Sequence, residues 1–167
     1  MVPTMNENIT PEDRGRSIST LIRNQAWKVV NEYETLHFNA PNKLFNALAF
    51  ALNDEEPIVS SGRIIDPENN LVELVVFTKS KVIYLRDKAT EKTPQVRVIP
   101  RNTLTELTVL ETPQVVPAVN REWSRGAKYS LKYGNGVEFD LPMEYAVEEA
   151  QTAIDQLYPD LCADIES

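Results

Sequence analysis

The side chains best suited to chemistry are few in this chain, and they lie far apart. The one histidine, His37, sits between Leu36 and Phe38, and the one cysteine, Cys162, lies in Asp160-Leu161-Cys162-Ala163-Asp164. A lone thiol forms no intrachain disulfide, and one His with one Cys cannot furnish a Cys/His zinc site. Catalysis by His37 would also need an orienting carboxylate and an oxyanion site, and no spacing announces either. His37 therefore reads as a packing residue, and Cys162, among acids that work against a thiolate, as inert. Asp54-Glu55-Glu56 sets three carboxylates side by side, but neighbours on a loop do not converge on calcium without intervening carbonyl ligands and a glycine. It reads as a solvated acidic turn, so neither a metal nor a cofactor is expected. The richest stretch is Arg121-Glu122-Trp123-Ser124-Arg125. In an extended chain Arg121, Trp123 and Arg125 share one face. Such a basic and aromatic trio suits an anionic membrane, a partner's ring or single-stranded nucleic acid; the bland alternative is that Trp123 folds inward and caps the core. Lys79 and Lys81, joined by Lys88 and Lys92, form a second basic rim or ordinary protection of a sheet edge.

Something must position these groups, and the composition says what kind of scaffold is available. The chain has 167 residues, 42% of them hydrophobic and 25% charged, which is the balance of one ordinary globular domain. At this length about two thirds of the unfolded surface can be buried, so no disulfide or metal staple is needed. The formal net charge is -8, from 17 basic and 25 acidic residues, which argues against a general phosphate-backbone binder. The charge is unevenly placed. Residues 54–70 sum to -4 and residues 142–167 to -7, while residues 71–141 carry eleven Lys and Arg against eight Asp and Glu. This pattern suits solvated faces of alternating sign, or a central basic patch that meets an acidic partner. No apolar run spans a bilayer, and the first residues lack a secretory pattern, so a cytoplasmic protein is expected.

Residues 1–16 hold Pro3, Pro11 and Gly15 with few large apolar groups, and they read as a flexible tail. From Ser17 onward Ile18, Leu21, Ile22, Ala26, Val29, Val30 and Tyr33 recur at helical steps and predict an amphipathic helix capped by Ser17. A second helix starts near Pro41 and is apolar almost all round, with Leu44, Phe45, Leu48 and Phe50 pointing in different directions. After Pro57 the period turns strand-like. Strands are predicted at Ile58–Ile65, Leu71–Thr78, Lys81–Arg86, Gln95–Ile99, Leu104–Glu111, Ala127–Tyr133 and Val137–Leu141. Gly134-Asn135-Gly136 joins the last two as a tight hairpin, since Asn and Gly accept positive φ. A closing helix then runs past Pro142 through Met143, Val147, Ile154 and Leu157, with Glu144 in its first turn and Pro159 as its stop. Residues 159–167 remain as an acidic tail. The interior is expected to join Tyr129, Leu131, Tyr133, Val137 and Phe139 with Val147, Ile154 and Leu157.

Seven consecutive antiparallel strands and one closing helix resemble the pleckstrin-homology-like (PH-like) fold, in its bacterial form. The approach Asn53-Asp54-Glu55-Glu56-Pro57-Ile58-Val59, the hairpin Val76-Phe77-Thr78-Lys79-Ser80-Lys81-Val82-Ile83-Tyr84-Leu85 and the step Ile99-Pro100 before Leu104–Val109 are similar to that branch. The resemblance covers about residues 53–158. It implies a mainly β, α+β architecture: a seven-stranded antiparallel bent sheet or barrel over 54–158, closed by the C-terminal helix, with an added helical pair at 17–53. The loop Asp66–Asn70 is acidic where lipid-binding relatives of the fold place Lys and Arg, so phosphoinositide recognition is not implied.

These readings converge on a non-enzymatic binding or scaffold module for another protein or for its own copies. Two other classes remain as alternatives. One is peripheral attachment to an anionic membrane through Arg121, Trp123 and Arg125; the other is a small-molecule enzyme without a recognisable motif. Because only one stripe of the second helix can face the strands, Leu44, Phe45, Leu48 and Phe50 are also expected to leave apolar surface for a homo-oligomer, as bacterial PH-like domains imply.

Overall fold

The computed structural model describes residues 10–36, 40–66, 71–88, 90–113, 126–144 and 146–167. Two helices come first, α1 (Pro11–Leu36) and α2 (Ala40–Leu52). Four strands follow, β1 (Val59–Asp66), β2 (Leu71–Phe77), β3 (Lys81–Lys88) and β4 (Gln95–Pro100). A short 3₁₀ turn (Arg101–Thr103) then leads to β5 (Leu104–Glu111), β6 (Lys128–Tyr133), β7 (Glu138–Leu141) and the helix α3 (Glu148–Glu166). Strands β1 to β4 form one antiparallel sheet in sequence order, and β5 to β7 form another.

The near-continuous apolar run of β2 reveals the layering. Alternate residues of a strand point to opposite faces, so a strand that is apolar at nearly every position needs cover on both sides. Val72, Leu74 and Val76 join Ile83 and Leu85 of β3 against Ile18 and Ile22 of α1 and Leu44, Phe45, Leu48 and Leu52 of α2. Val75 and Phe77, with Val59, Val82 and Ile99, face the other way onto the second sheet and α3. The order of layers is therefore helix pair, four-stranded sheet, then three-stranded sheet with α3. The predicted interior is found in the second core, where Tyr129, Leu131, Tyr133, Val137 and Phe139 pack with Ile154 and Leu157; Val147 instead caps α3.

Three readings are corrected. The architecture is α+β but not mainly β, because helices of 26, 13 and 19 residues hold more of the chain than strands of at most 8. Nor is there one bent sheet or closed barrel. Between β4 and β5 the 3₁₀ turn interrupts pairing, and near the other corner the Met143 N–H donates to Ser61 Oγ at 2.9 Å rather than to a strand carbonyl. The third correction concerns both ends. Residues 11–16 belong to α1: the Asp13 N–H donates to Thr10 Oγ1 at 3.1 Å, Thr10 donates to Asp13 Oδ2 at 2.8 Å, and Pro11 takes the first helical position, where no N–H is required. At the far end α3 begins at Glu148, after Glu144, and passes through Pro159 to Glu166.

Proline inside a helix costs about 3 kcal/mol. Beyond it, Leu161 is fully buried and Asp164 Oδ2 accepts from Arg101 Nε at 2.8 Å. A buried leucine contributes roughly 1.5–3 kcal/mol, so with the ion pair the last turns offset the proline. The other end of α3 clamps the start of β6. Asp155 Oδ1 accepts the Ala127 N–H at 2.7 Å, and Gln151 Nε2 donates to the Ala127 carbonyl at 2.9 Å. Gln151 crosses so close to Gly126 that a Cβ there would lie 2.2 Å from its amide nitrogen, which accounts for glycine at this position.

Candidate functional site

Most of the residues singled out in the sequence are either spent on structure or lie elsewhere. Arg121, Trp123 and Arg125 fall outside the described residues, as does His37. Lys81 Nζ pairs with Glu55 Oε2 at 2.9 Å, and Ser80 Oγ donates to Glu55 Oε1. Arg14 donates to the Glu55 carbonyl at 2.7 Å and pairs with Glu56 at 3.3 Å. The acidic turn is thus a clasp between α1 and the β2–β3 turn, and Lys81 is not an unengaged rim cation. Hydrogen bonds from Ser80 and Lys81 hold the Glu55 carboxyl below its ordinary value of 4.5. Lys79, Lys88 and Lys92 are exposed.

The four residues expected at an oligomer contact divide between interior and surface. Leu44, Phe45 and Leu48 are buried within the chain, because the outer face of the first sheet needs α2 as well as α1, and Arg23 lies 5.4 Å over the Phe45 ring. Phe50 alone of the four projects outward, 89% exposed.

A cleft of about 770 Å³ beside α3 is lined by Glu111, Glu144, Glu148 and Asp155 with Lys128 and Gln151. Asp155 already serves Ala127, and among the described residues no group of three or more His, Cys, Asp or Glu is placed to hold a metal ion. Cys162 is a free, half-buried thiol. Burial is the first cause that raises the phenols of Tyr84, Tyr129 and Tyr133, Tyr129 to about 12, so none of the three offers a phenolate near neutral pH.

A polar group gathered by the strands lies at the opposite end of the first sheet from the Glu55 clasp. Arg63 of β1 is paired in register with Glu73 of β2, and Glu73 with Arg86 of β3. Directly opposed residues share a face, so the three side chains meet. Arg63 Nε donates to Glu73 Oε2 at 3.1 Å, and Arg86 Nε stands 3.7 Å from Glu73 Oε1. The Glu73 side chain is 5% exposed, whereas those of Arg63 and Arg86 are 46% and 42% exposed. Tyr84 lies on this face too: its ring stacks on Phe139 at 6.1 Å, and its hydroxyl bonds to Glu73. Arg97 of β4 is paired with Tyr84 and therefore sits diagonal to Arg86 on the same side of the sheet. It is exposed, and its Nη2 reaches the Asn135 carbonyl in the β6–β7 hairpin at 3.4 Å.

Among the described residues two guanidinium groups, from β1 and β3, thus flank one buried carboxylate that balances the charge of one of them, and a third, Arg97 of β4, lies diagonal to Arg86. The signal for Glu73 was its place inside Leu71–Phe77, an acid amid apolar neighbours; its two arginines become neighbours only through strand register. Guanidinium forks on a half-exposed surface suit carboxylates and phosphates. Comparison with protein-family models, curated proteins and solved structures finds no match. No helix among the described residues is long and apolar enough to cross a membrane.

Proposed function

We propose that this chain is a non-enzymatic binding module for another protein, a PH-like arrangement whose ligand surface is the basic end formed by Arg63, Arg86 and Arg97. The order of four strands, three strands and a helix over the second core supports the PH-like reading. The observation that carries the function is the surplus of guanidinium over carboxylate around Glu73. A net charge of -8 opposes approach to an anionic bilayer, whereas an acidic segment of a protein can enter the basic end locally. Charge pairing at such a rim steers encounter and gives specificity more than raw affinity.

Fluorescence anisotropy of a labelled glutamate-rich peptide titrated with the full chain tests this. Saturable binding that weakens with salt is expected, and Arg63→Glu with Arg86→Glu should weaken it by about tenfold or more. Binding to phosphatidylserine vesicles in place of the peptide, or concentration-dependent self-assembly without any ligand effect, would overturn it.

A further inference from the structure

We propose that the edge of β4 is where the partner docks, and that the occupant is an extended segment of another protein, with acidic and apolar residues in alternation, that adds a strand beside Gln95–Ile99. This rests on the basic-end reading above and specifies the shape of the partner.

Strands β1, β4, β5 and β7 are the edges of the two sheets, and an edge strand offers unpaired N–H and C=O groups to any chain that can lie beside it. The edge of β1 is occupied by a side chain. Gln25 of α1, itself buried, accepts both the Ser60 N–H at 2.7 Å and the Ser60 hydroxyl at 2.8 Å, and its Nε2 reaches the Ile58 carbonyl at 3.4 Å. The edge of β5 is irregular: its register with β6 slips between Leu104 and Glu106 and again between Val109 and Glu111. Bulges of this kind bend an edge away from pairing. Strand β7 has only four residues and runs into Pro142. By contrast β4 pairs with β3 without interruption from Gln95 to Pro100, and no other described strand pairs with its far side.

The side chains of β4 define what would fit. Gln95 and Arg97 lie on the face that carries Tyr84 and Arg86, and Val96 and Val98 lie opposite Leu85 and Ile83 on the face covered by α2. Val98 is 49% exposed at that rim. A strand added here would alternate in the same way, with an acidic residue beside Arg97 and apolar residues continuing the row of Val96 and Val98. Backbone pairing supplies affinity and the alternate side chains supply selectivity. Pro94 and Pro100 bracket the edge, so the paired stretch is about five residues, or roughly 17 Å.

The probe is a nine-residue peptide centred on Val-Glu-Val-Glu-Val, with two versions N-methylated at alternate residues in opposite phase and one version with Lys in place of Glu. Amide hydrogen exchange and anisotropy are read on the full chain. The unmethylated peptide should slow exchange at amides within Gln95–Ile99 by about tenfold or more, and only one methylation phase should abolish this, because alternate residues of a strand bond to opposite sides. Arg97→Glu should weaken the Glu peptide at least tenfold and favour the Lys peptide. If both methylated peptides bind as well as the parent and Arg63→Glu with Arg86→Glu still weakens them, the edge proposal falls and the basic-end reading stands. If no acidic peptide binds, both fall. Protection of Gln95–Ile99 that rises with protein concentration alone would assign the edge to a second copy and overturn the proposal.

Discussion

Arg101 and the group Arg63, Arg86 and Arg97 put the same functional group at opposite ends of one sheet, with opposite outcomes. Arg101 is 5% exposed, and its donors meet an Asp164 carboxylate oxygen at 2.8 Å, the Thr78 carbonyl at 2.9 Å and the Lys79 carbonyl at 3.4 Å. It is surrounded by acceptors and fastens the β2–β3 turn to α3. At the other end Arg63 and Arg86 share the Glu73 carboxylate at a half-exposed surface, with Arg97 diagonal to Arg86. A buried cation must be matched within the fold, because an unpaired one costs several kcal/mol, whereas an exposed cation can be left in excess at little cost. The first arrangement serves stability; the second holds more guanidinium than carboxylate among the described residues, which is what the proposed ligand surface rests on.

The sharpest way to break this contrast is Arg101→Ala. It leaves the Asp164 carboxylate and two turn carbonyls without their donor, so a loss of about 3–5 kcal/mol is expected by denaturant unfolding. A loss below 1 kcal/mol would remove the distinction between the two ends. Glu73→Gln probes the other side. Both of its arginines keep access to water, so about 1–2 kcal/mol is expected, between the values for exposed and buried pairs. The same variant should bind a glutamate-rich peptide more tightly than the parent, because the end loses its only shared carboxylate. A cost equal to that of Arg101→Ala would mean that Glu73 is a closed structural pair after all. Arg97→Ala is smaller again: a change within about 0.5 kcal/mol in stability, with weaker peptide binding.

The contrast also marks what the sequence could and could not reveal. Each strand lies within about two residues of its predicted bounds, because period-two alternation and the Gly134-Asn135-Gly136 turn are local signals; in that turn Gly136 takes the positive φ, at 88°. The ends of the helices were less legible. Pro159 reads as a stop until Leu161 and Asp164 find Ile154's core and Arg101, contacts with residues far back along the chain. The start of α1 was legible but hidden: Thr10-Pro11-Glu12-Asp13 is a cap signature inside a segment whose low apolar content suggested a tail. The site itself was the least accessible. Arg63, Glu73, Arg86 and Arg97 are separated by 10 to 13 residues at each step, and only the register of three hairpins makes them neighbours. The mirror case is Lys81, which looked unengaged because its partner, Glu55, lies on a different element.

That case supplies the mildest test, since Glu55 is a saturated site near the surface and so stands between the two arginine sites. Ser80 and Lys81 favour its ionised form, so in the folded chain it gives up its proton more readily than in the unfolded chain, whose ordinary value is 4.5. The sign follows from linkage: the stabilisation is complete above 4.5 and is lost as pH falls through the lower folded value. Glu55→Gln should therefore cost less than about 1 kcal/mol near neutral pH, as partly solvated pairs do, and should flatten the acid limb of the stability curve. Denaturant midpoints measured from neutral pH downward check both parts. An unchanged acid limb would mean that the clasp contributes nothing in solution, and would return Lys81 to the basic rim from which its pairing with Glu55 withdraws it.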